Sequence, residues 1–238
     1  MYNTTRQKLM EGRQVVGGTI HSAGPETFRA MAGAGFDFLW IEMQHSALAY
    51  DEVSRAIWAA RGSLAIPFIR VPDATEGDIQ KATDVGALGI IVPMVETAEK
   101  MRAAVRFAKY PPAGRRSSGN NQGRALWGDD YRQTFNDNLL VVAMIETPEG
   151  VAAADQIASV EGVDVVFAAS GDLKSFTGLP EGHPEYEALV ARIRDATLAA
   201  GKKLGGPLSW RDRAGFTFFQ GPAEATLIRS GAAALGLA

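Results

Sequence analysis

An α/β fold of the (β/α)8 TIM-barrel type, one domain over residues 1–238, is what the sequence predicts, and three observations carry it. Short apolar runs alternate with amphipathic stretches along the chain, as strands each followed by a helix would. The runs are near-continuous rather than alternating, the pattern of parallel strands covered on both faces. Eight of them fit within 238 residues, close to the ~250 typical of such a barrel. A doubly wound sheet is the alternative, weakened by the absence of a glycine-rich GxGxxG turn after the first strand.

The first strand is VVGGTI (15–20), followed by PETFRAMAGAG (25–35) with Pro25 near the helix start and Gly35 past its end. FDFLWIEM (36–43) leads to YDEVSRAIWAARG (50–62), and IPFIRV (66–71) to EGDIQKATDVG (76–86). GIIVPM (89–94) precedes TAEKMRAAVRFA (97–108), whose apolar residues recur at three- and four-residue spacing. LLVVAMIE (139–146) with TPEGVAAADQIA (147–158), then VDVVFAA (163–169) with HPEYEALVARIRDATLAAG (183–201), continue the alternation. KLGGPL (203–208) and FTFFQ (216–220) complete it, and the SWRDRAG between them is too short for a full helix. Several helices end in Ala-Gly or Val-Gly, the expected cap before the next strand. One segment breaks the rhythm. Between Tyr110 and Asn138 the chain is rich in Gly, Pro, Asn and Arg, and is expected to be a long loop after the fourth strand, a lid or disordered.

Composition narrows the function. The chain is 46% hydrophobic and 21% charged, ordinary for a globular protein whose core needs no staples. With no cysteine, disulfides and thiolate metal sites are excluded, in keeping with a reducing compartment. A net charge of −3 without a basic block argues against nucleic acid. The start MYNTTRQKLMEGRQ has no apolar signal core, and no segment approaches the ~18 apolar residues of a membrane span. A cytoplasmic protein without nucleic-acid or membrane partners is expected.

In α/β barrels the chemistry gathers where the strands end at their C-termini. The second strand ends in Glu42, Gln44 and His45, the third in Arg70, the fifth in Glu146, and the sixth runs into Asp172. Glu146 and Asp172 are hard oxygen ligands suited to Mg²⁺ or Mn²⁺. Arg70 offers a fork matched to a substrate carboxylate, and His45 a group that moves protons near neutral pH. Each has a plainer alternative: Glu146 as a helix cap, Asp172 in an Asx-turn, Arg70 in a surface pair with Asp73, His45 as a structural histidine. His21 follows the first strand and is a candidate for the rim, whereas His183, before Pro184, belongs to a surface helix start. Tryptophans 40, 58 and 210 fit the core or an interface.

The stretches AGAGFDFLWIE..HS, PFIRVP, TDVGALGIIVPMVETAEKMRAAVRFAKYPPAGRRSSG, IETPEGV and VEGVDVVFAASGDL carry a resemblance. The chain resembles the HpcH/HpaI family of metal-dependent class II pyruvate aldolases, relatives of macrophomate synthase, from near residue 5 to near 235. The resemblance implies a barrel whose last helix is exchanged between subunits, in a hexamer. It implies Glu146 and Asp172 as ligands of a divalent ion (Mg²⁺, Mn²⁺ or Co²⁺), and Arg70 as the clamp on pyruvate. His45 would assist the metal-bound water acting as base, oriented by Asp84 from a neighbouring subunit. The amides of Gly171 and Asp172, beside Ser170, would take the pyruvate carboxylate.

Departures from the family accompany this. An Asp-x-Glu-His pattern is Glu42-Met43-Gln44-His45 here, a glutamine is Met144, and Gly-Pro-Ala-Asp is Ala169-Ser170-Gly171-Asp172. Gln44 is expected to make up the amide absent at 144 and, with Glu42, to shape the acceptor side. The expected activity is reversible cleavage of a 4-hydroxy-2-oxo acid to pyruvate and an aldehyde. Decarboxylation of a 2-oxo acid, or another C–C cleavage, at the same site is the first alternative, and a non-catalytic barrel that binds such an acid the second.

Overall fold

The computed structural model describes residues 2–22, 24–119 and 121–237. Eight strands close on themselves in chain order: β1 (Val15–Ile20), β2 (Phe38–Glu42), β3 (Ile66–Arg70), β4 (Gly89–Val92), β5 (Leu140–Ile145), β6 (Val165–Ala168), β7 (Lys203–Pro207) and β8 (Phe216–Ala223). Every neighbouring pair is parallel, β8 with β1 included. The barrel expected from the apolar runs is therefore the fold, and the expected strand positions agree with the structure to within a few residues.

Size alternation fills the barrel interior. Phe38, Phe68, Phe167 and Phe218 point inward and stack, with Phe38–Phe218 and Phe38–Phe68 centroids 4.6 and 4.7 Å apart. Glycines face them from neighbouring strands. A Cβ on Gly17 would lie 2.2 Å from the Phe38 ring, and one on Gly89 2.2 Å from the Phe68 ring, so these strands can close only where a side chain is missing. Each buried phenylalanine contributes on the order of 1.5–3 kcal/mol of transfer free energy. Because strand side chains alternate, the same inward rows continue toward the strand ends as Trp40 and Glu42 on β2, Arg70 on β3, and Met144 then Glu146 on β5. The polar rim is thus the top layer of the core.

Outside lie α1 (Thr4–Met10), α2 (Pro25–Ala32), α3 (Tyr50–Ala59), α4 (Glu76–Asp84) and α5 (Ala98–Ala108). They are followed by α6 (Asn121–Trp127), α7 (Tyr131–Asn138), α8 (Pro148–Ala152), α9 (Ala154–Ala158), α10 (Ser170–Thr177), α11 (Pro184–Ala199) and α12 (Glu224–Ala234). The helix expected over 147–158 is two short ones meeting at Ala153, and SWRDRAG forms only a single 3-10 turn at Leu208–Trp210. Among the described residues no helix is long and apolar enough to cross a membrane.

The expected loop over 110–138 is a correction. Apart from Asn120, which lies outside the described residues, this segment contains α6 and α7. Gly128, at φ +107°, ends α6, and Tyr131 and Phe135, one turn apart, are buried. Tyr110 and Phe135 hold the guanidinium carbon of Arg116 at 4.5 and 4.3 Å from their ring centroids. The Trp127 indole N–H donates to the Gly86 carbonyl just before β4, and α7 leads directly into β5, so this unit sits at the strand N-termini, opposite the rim where the strands end. It does not cover the rim of its own chain. The weak helix formers Gly and Asn hid an i, i+4 aromatic pair that tertiary packing makes decisive.

Candidate active site

Glu42 ends β2 and has no solvent exposure. Its Oε1 accepts the N–H groups of Gln44 and His45 at 2.9 and 3.0 Å. Its Oε2 accepts the Trp40 indole N–H at 3.2 Å and Arg70 Nε–H at 2.5 Å. The Ser46 hydroxyl donates to the Glu42 carbonyl and holds the turn. Glu42 and Arg70 are register partners on adjacent parallel strands, so they meet on one face. Four donors on one carboxylate satisfy a group that is otherwise costly to bury. Glu42, expected on the acceptor side, is buried here, with its oxygens engaged by the β2 turn, the Trp40 indole and Arg70.

With Nε taken, Arg70 turns the rest of its fork toward the mouth. Nη1 lies 3.9 Å from Met144 Sδ, and the guanidinium carbon stands 5.8 Å from the Trp40 ring centroid. Among the described residues Nη2 has no acceptor, and it is not shut away from solvent. Arg70 does not pair with Asp73, which binds Lys100 at 2.8 Å.

Glu146 follows β5 and is buried. It is not a cap: Thr147 caps α8, its hydroxyl accepting Gly150 N–H at 3.1 Å. Among the described residues its one backbone donor is Met94 N–H. Met94 holds φ +50°, a left-handed conformation that costs a non-glycine residue about 1 kcal/mol or more and aims its amide at the carboxylate. Burial pushes the Glu146 carboxyl up to about 7; the Met94 amide works against this, while Asp172, near enough to share a hydrogen bond, adds to it, and Arg70 opposes it from farther off. Sequence reasoning did not find Met94, because its part is played by a backbone amide.

Asp172 is the third residue of α10, in a helix and not in an Asx-turn. Leu173 is the first residue there whose N–H reaches back, to Ala169 at 3.1 Å. The amides of Ser170, Gly171 and Asp172 thus have no acceptor within the helix, an arrangement that favours an anion. A Cβ on Gly171 would meet nothing within 4 Å, so the space before this turn is open.

The structure brings Glu42, Arg70, Met144, Glu146 and Asp172 together at the mouth. His45 stands exposed beside them, and its imidazole has no hydrogen-bond partner among the described residues. Gln44 makes no bond to Arg70, and its Oε1 is buried without a partner among the described residues. Asp84 is not brought to the rim of its own chain. It ends α4 at the other end of the barrel and accepts Arg116 Nη2–H at 2.7 Å. Two residues join the rim on the far side. His21 donates its N–H at 2.9 Å to Glu224, which starts α12. Glu224 was missed because β8 runs three residues past its expected end, to Ala223.

No group of three ligating side chains occurs among the described residues. Two hard carboxylates with one backbone donor fit a cation that completes its shell with water and ligand oxygens. The guanidinium and the α10 amides opposite suit a small carboxylate.

The HpcH/HpaI aldolase/citrate lyase family model matches residues 20–210. The chain is 36% identical over 208 residues to a hydroxypyruvate/pyruvate aldolase of Roseobacter denitrificans, covering 84% of this chain and 81% of the relative. It is 30% identical over 208 residues to a 2-keto-3-deoxy-L-rhamnonate aldolase of Escherichia coli (strain K12), covering 85% and 78%. The crystal structure of a family protein from Burkholderia cenocepacia J2315 superposes with TM-score 0.89 at 28% identity, over 98% of both chains.

Proposed function

The chain belongs to the HpcH/HpaI aldolase/citrate lyase family, and from that premise we propose that it is a divalent-cation-dependent aldolase. It would cleave a 4-hydroxy-2-oxo acid reversibly to pyruvate and an aldehyde. The observation that carries this reading is the pairing of Glu146 with Asp172 within reach of Arg70. Relatives named as aldolases, which are carbon–carbon lyases, support it.

Glu146 and Asp172 would hold the cation. When bound, it supplies Lewis-acid stabilisation of the charge that develops on the 2-oxo group. Arg70, aimed by Glu42, neutralises that charge from the other side through its free fork. The first-turn amides of α10 orient the substrate carboxylate. In the cleavage direction the C4 hydroxyl loses its proton, the C3–C4 bond breaks to release the aldehyde, its electron pair passes to the pyruvate enolate, and C3 of the enolate takes up a proton from water to give pyruvate. His45, exposed at the mouth, is the group that takes up the hydroxyl proton and returns it in synthesis.

Oligomerisation belongs to the same reading. Helix α12 buries none of its residues, and Ile228, Leu235 and Leu237 stand 69%, 78% and 76% exposed. Such apolar exposure fits a helix packed on another copy, with Asp84 of a neighbouring subunit orienting His45 in a homohexamer.

The test is removal of divalent metal with a chelator, followed by assay of pyruvate release. Activity is expected to vanish and to return with Mg²⁺, Mn²⁺ or Co²⁺; full activity in metal-free protein refutes the reading. Decarboxylation stays a rival because the same charge-stabilising site serves it, and CO₂ in place of an aldehyde among the products would establish it.

A further inference from the structure

We propose that His21 and Glu224 form the subsite for the acceptor aldehyde and select one that is uncharged and hydroxylated; this rests on the aldolase reading above. The first support is register. Gly17 faces the barrel interior, since a Cβ there would strike the Phe38 ring. Gly17 pairs with Phe38, and Thr19 with Trp40. Alternation carried two residues further brings His21 to the level of Glu42 and Arg70, on the inner side of the mouth.

The second support is the way β8 reaches this point. The β1–β8 register shifts between Gly17 and Thr19, which pairs with Ala223. Thr19 Oγ1–H donates to the Gly221 carbonyl at 3.0 Å and pins the irregularity. This sets Glu224 directly against the end of β1, where its Oε1 accepts the His21 N–H. A bulge of this kind re-aims a side chain at a barrel rim.

The third support is an unmet bond. Glu224 Oε2 is buried and has no hydrogen-bond partner among the described residues. His21 Nδ1 stands 3.7 Å away, beyond bonding distance, and the two side chains are 46% and 12% exposed, His21 and Glu224 respectively. A buried carboxylate oxygen without a donor is costly. The ring is on the open side and the oxygen beneath it, so a hydroxyl entering the gap donates to Oε2 while the imidazole stays within reach of its oxygen. Pyruvate binds across the mouth, near β3, β5 and β6. That leaves the β1–β8 side for the second reactant.

Two consequences follow for the acceptor. An alkyl aldehyde leaves Oε2 orphaned, and a site built to bond a hydroxyl discriminates strongly against an analogue lacking it. An acceptor bearing its own carboxylate meets a like charge at Glu224.

The experiment uses the intact Mg²⁺-loaded protein with pyruvate and three acceptors: glyceraldehyde, propanal and succinic semialdehyde. Wild type is expected to prefer glyceraldehyde over propanal by about tenfold or more in kcat/KM. Glu224→Ala and His21→Ala are expected to bring that ratio to within about twofold. Glu224→Gln keeps an acceptor oxygen without the charge, and is expected to retain part of the preference while admitting succinic semialdehyde. Deuterium exchange into the pyruvate methyl, followed by NMR with no aldehyde present, reads the donor half of the site separately. No exchange in wild type removes the aldolase reading and this inference with it. Exchange together with an unmoved glyceraldehyde-to-propanal ratio in the folded Glu224 variants overturns the subsite alone. If Glu224→Ala does not fold, Glu224→Gln and His21→Ala decide the matter.

Discussion

Glu42 and Glu146 stand at the ends of β2 and β5, facing the same space, at 0% and 1% exposure. Burial does not distinguish them; their donors do. Glu42 receives two turn amides, an indole N–H and a guanidinium N–H, so neither oxygen is left wanting. Glu146 receives one amide and lies against a second acid, Asp172. One carboxylate has been made part of the scaffold, and the other has been left electrostatically unfinished. An unfinished acid in a barrel mouth is a place for a cation, which is why the proposed reading assigns the chemistry to Glu146 rather than to Glu42.

Removing the finished carboxylate should have the largest effect. Glu42→Ala leaves Arg70 charged, nearly buried and without its partner, and orphans three further donors. Breaking a buried pair in this way costs about 3–5 kcal/mol, read as a lower urea midpoint at unchanged slope. A loss below ~1 kcal/mol would mean that Arg70 finds another acceptor, and the contrast between the two glutamates would fail.

The same neutralisation at Glu146 should act in the opposite direction on stability. Glu146→Gln keeps the shape and removes a buried charge that faces Asp172, so the metal-free protein should unfold no more easily than wild type. Activity should nevertheless fall by more than about a hundredfold, since even supporting groups around a metal cost 10–100-fold when lost. Mg²⁺ titration calorimetry should give a parallel loss of affinity. A variant that folds well and keeps its activity would transfer the chemistry elsewhere on the rim.

The pH dependence sharpens the point. Burial raises the folded Glu146 carboxyl from 4.5 to about 7. Between those values the folded state holds a proton that the unfolded chain has released, so stability decreases as pH rises. Metal-free wild type should therefore lose stability from about pH 5 to about pH 8, by roughly 1–2 kcal/mol. The Glu146→Gln curve should be flatter across that window. Because a cation requires the deprotonated acid, Mg²⁺ affinity should rise over the same range. Equal slopes in the two proteins would show that Glu146 is not the titrating group.

Much of this contrast was visible in the sequence, but not all of it. Parallel strands are sealed on both faces, so their apolar runs marked the barrel, and the polar residue ending each run marked the rim. That rule picked out Glu42, Arg70, Glu146 and Asp172 together, and it could not separate Glu42 from Glu146. The distinction depends on donors from the backbone of a turn and on an indole one layer below, which no residue pattern records. Glu224 escaped the same rule because a register shift between β1 and β8 moves the strand end. The helix α7 escaped because the burial of Tyr131 and Phe135, not composition, makes it helical, and α6 before it packs Leu126 and Trp127 only partly against the core. Asp84 came from family resemblance alone, and in its own chain it is bound to Arg116.

The smallest effect concerns the fork that Glu42 aims. Arg70 Nη1 faces Met144 Sδ at 3.9 Å, and a thioether is a weak acceptor. Arg70 is thus held firmly at Nε and loosely at Nη1. Met144→Gln is nearly volume-conserving and would place an amide oxygen where the sulfur now lies. A typical added hydrogen bond is worth about 1 kcal/mol net, and that much carried into binding corresponds to a pyruvate KM about fivefold lower if the fork is being pre-aimed. The urea midpoint should move little, because Nη1 is not left unsatisfied in the wild type as the Glu42 donors would be in Glu42→Ala. A fall in KM without a change in kcat would mean the amide strengthens pyruvate binding equally before and during bond cleavage. An unchanged KM would place Nη1 outside the pyruvate contact and leave Nη2 as the sole arm of the clamp.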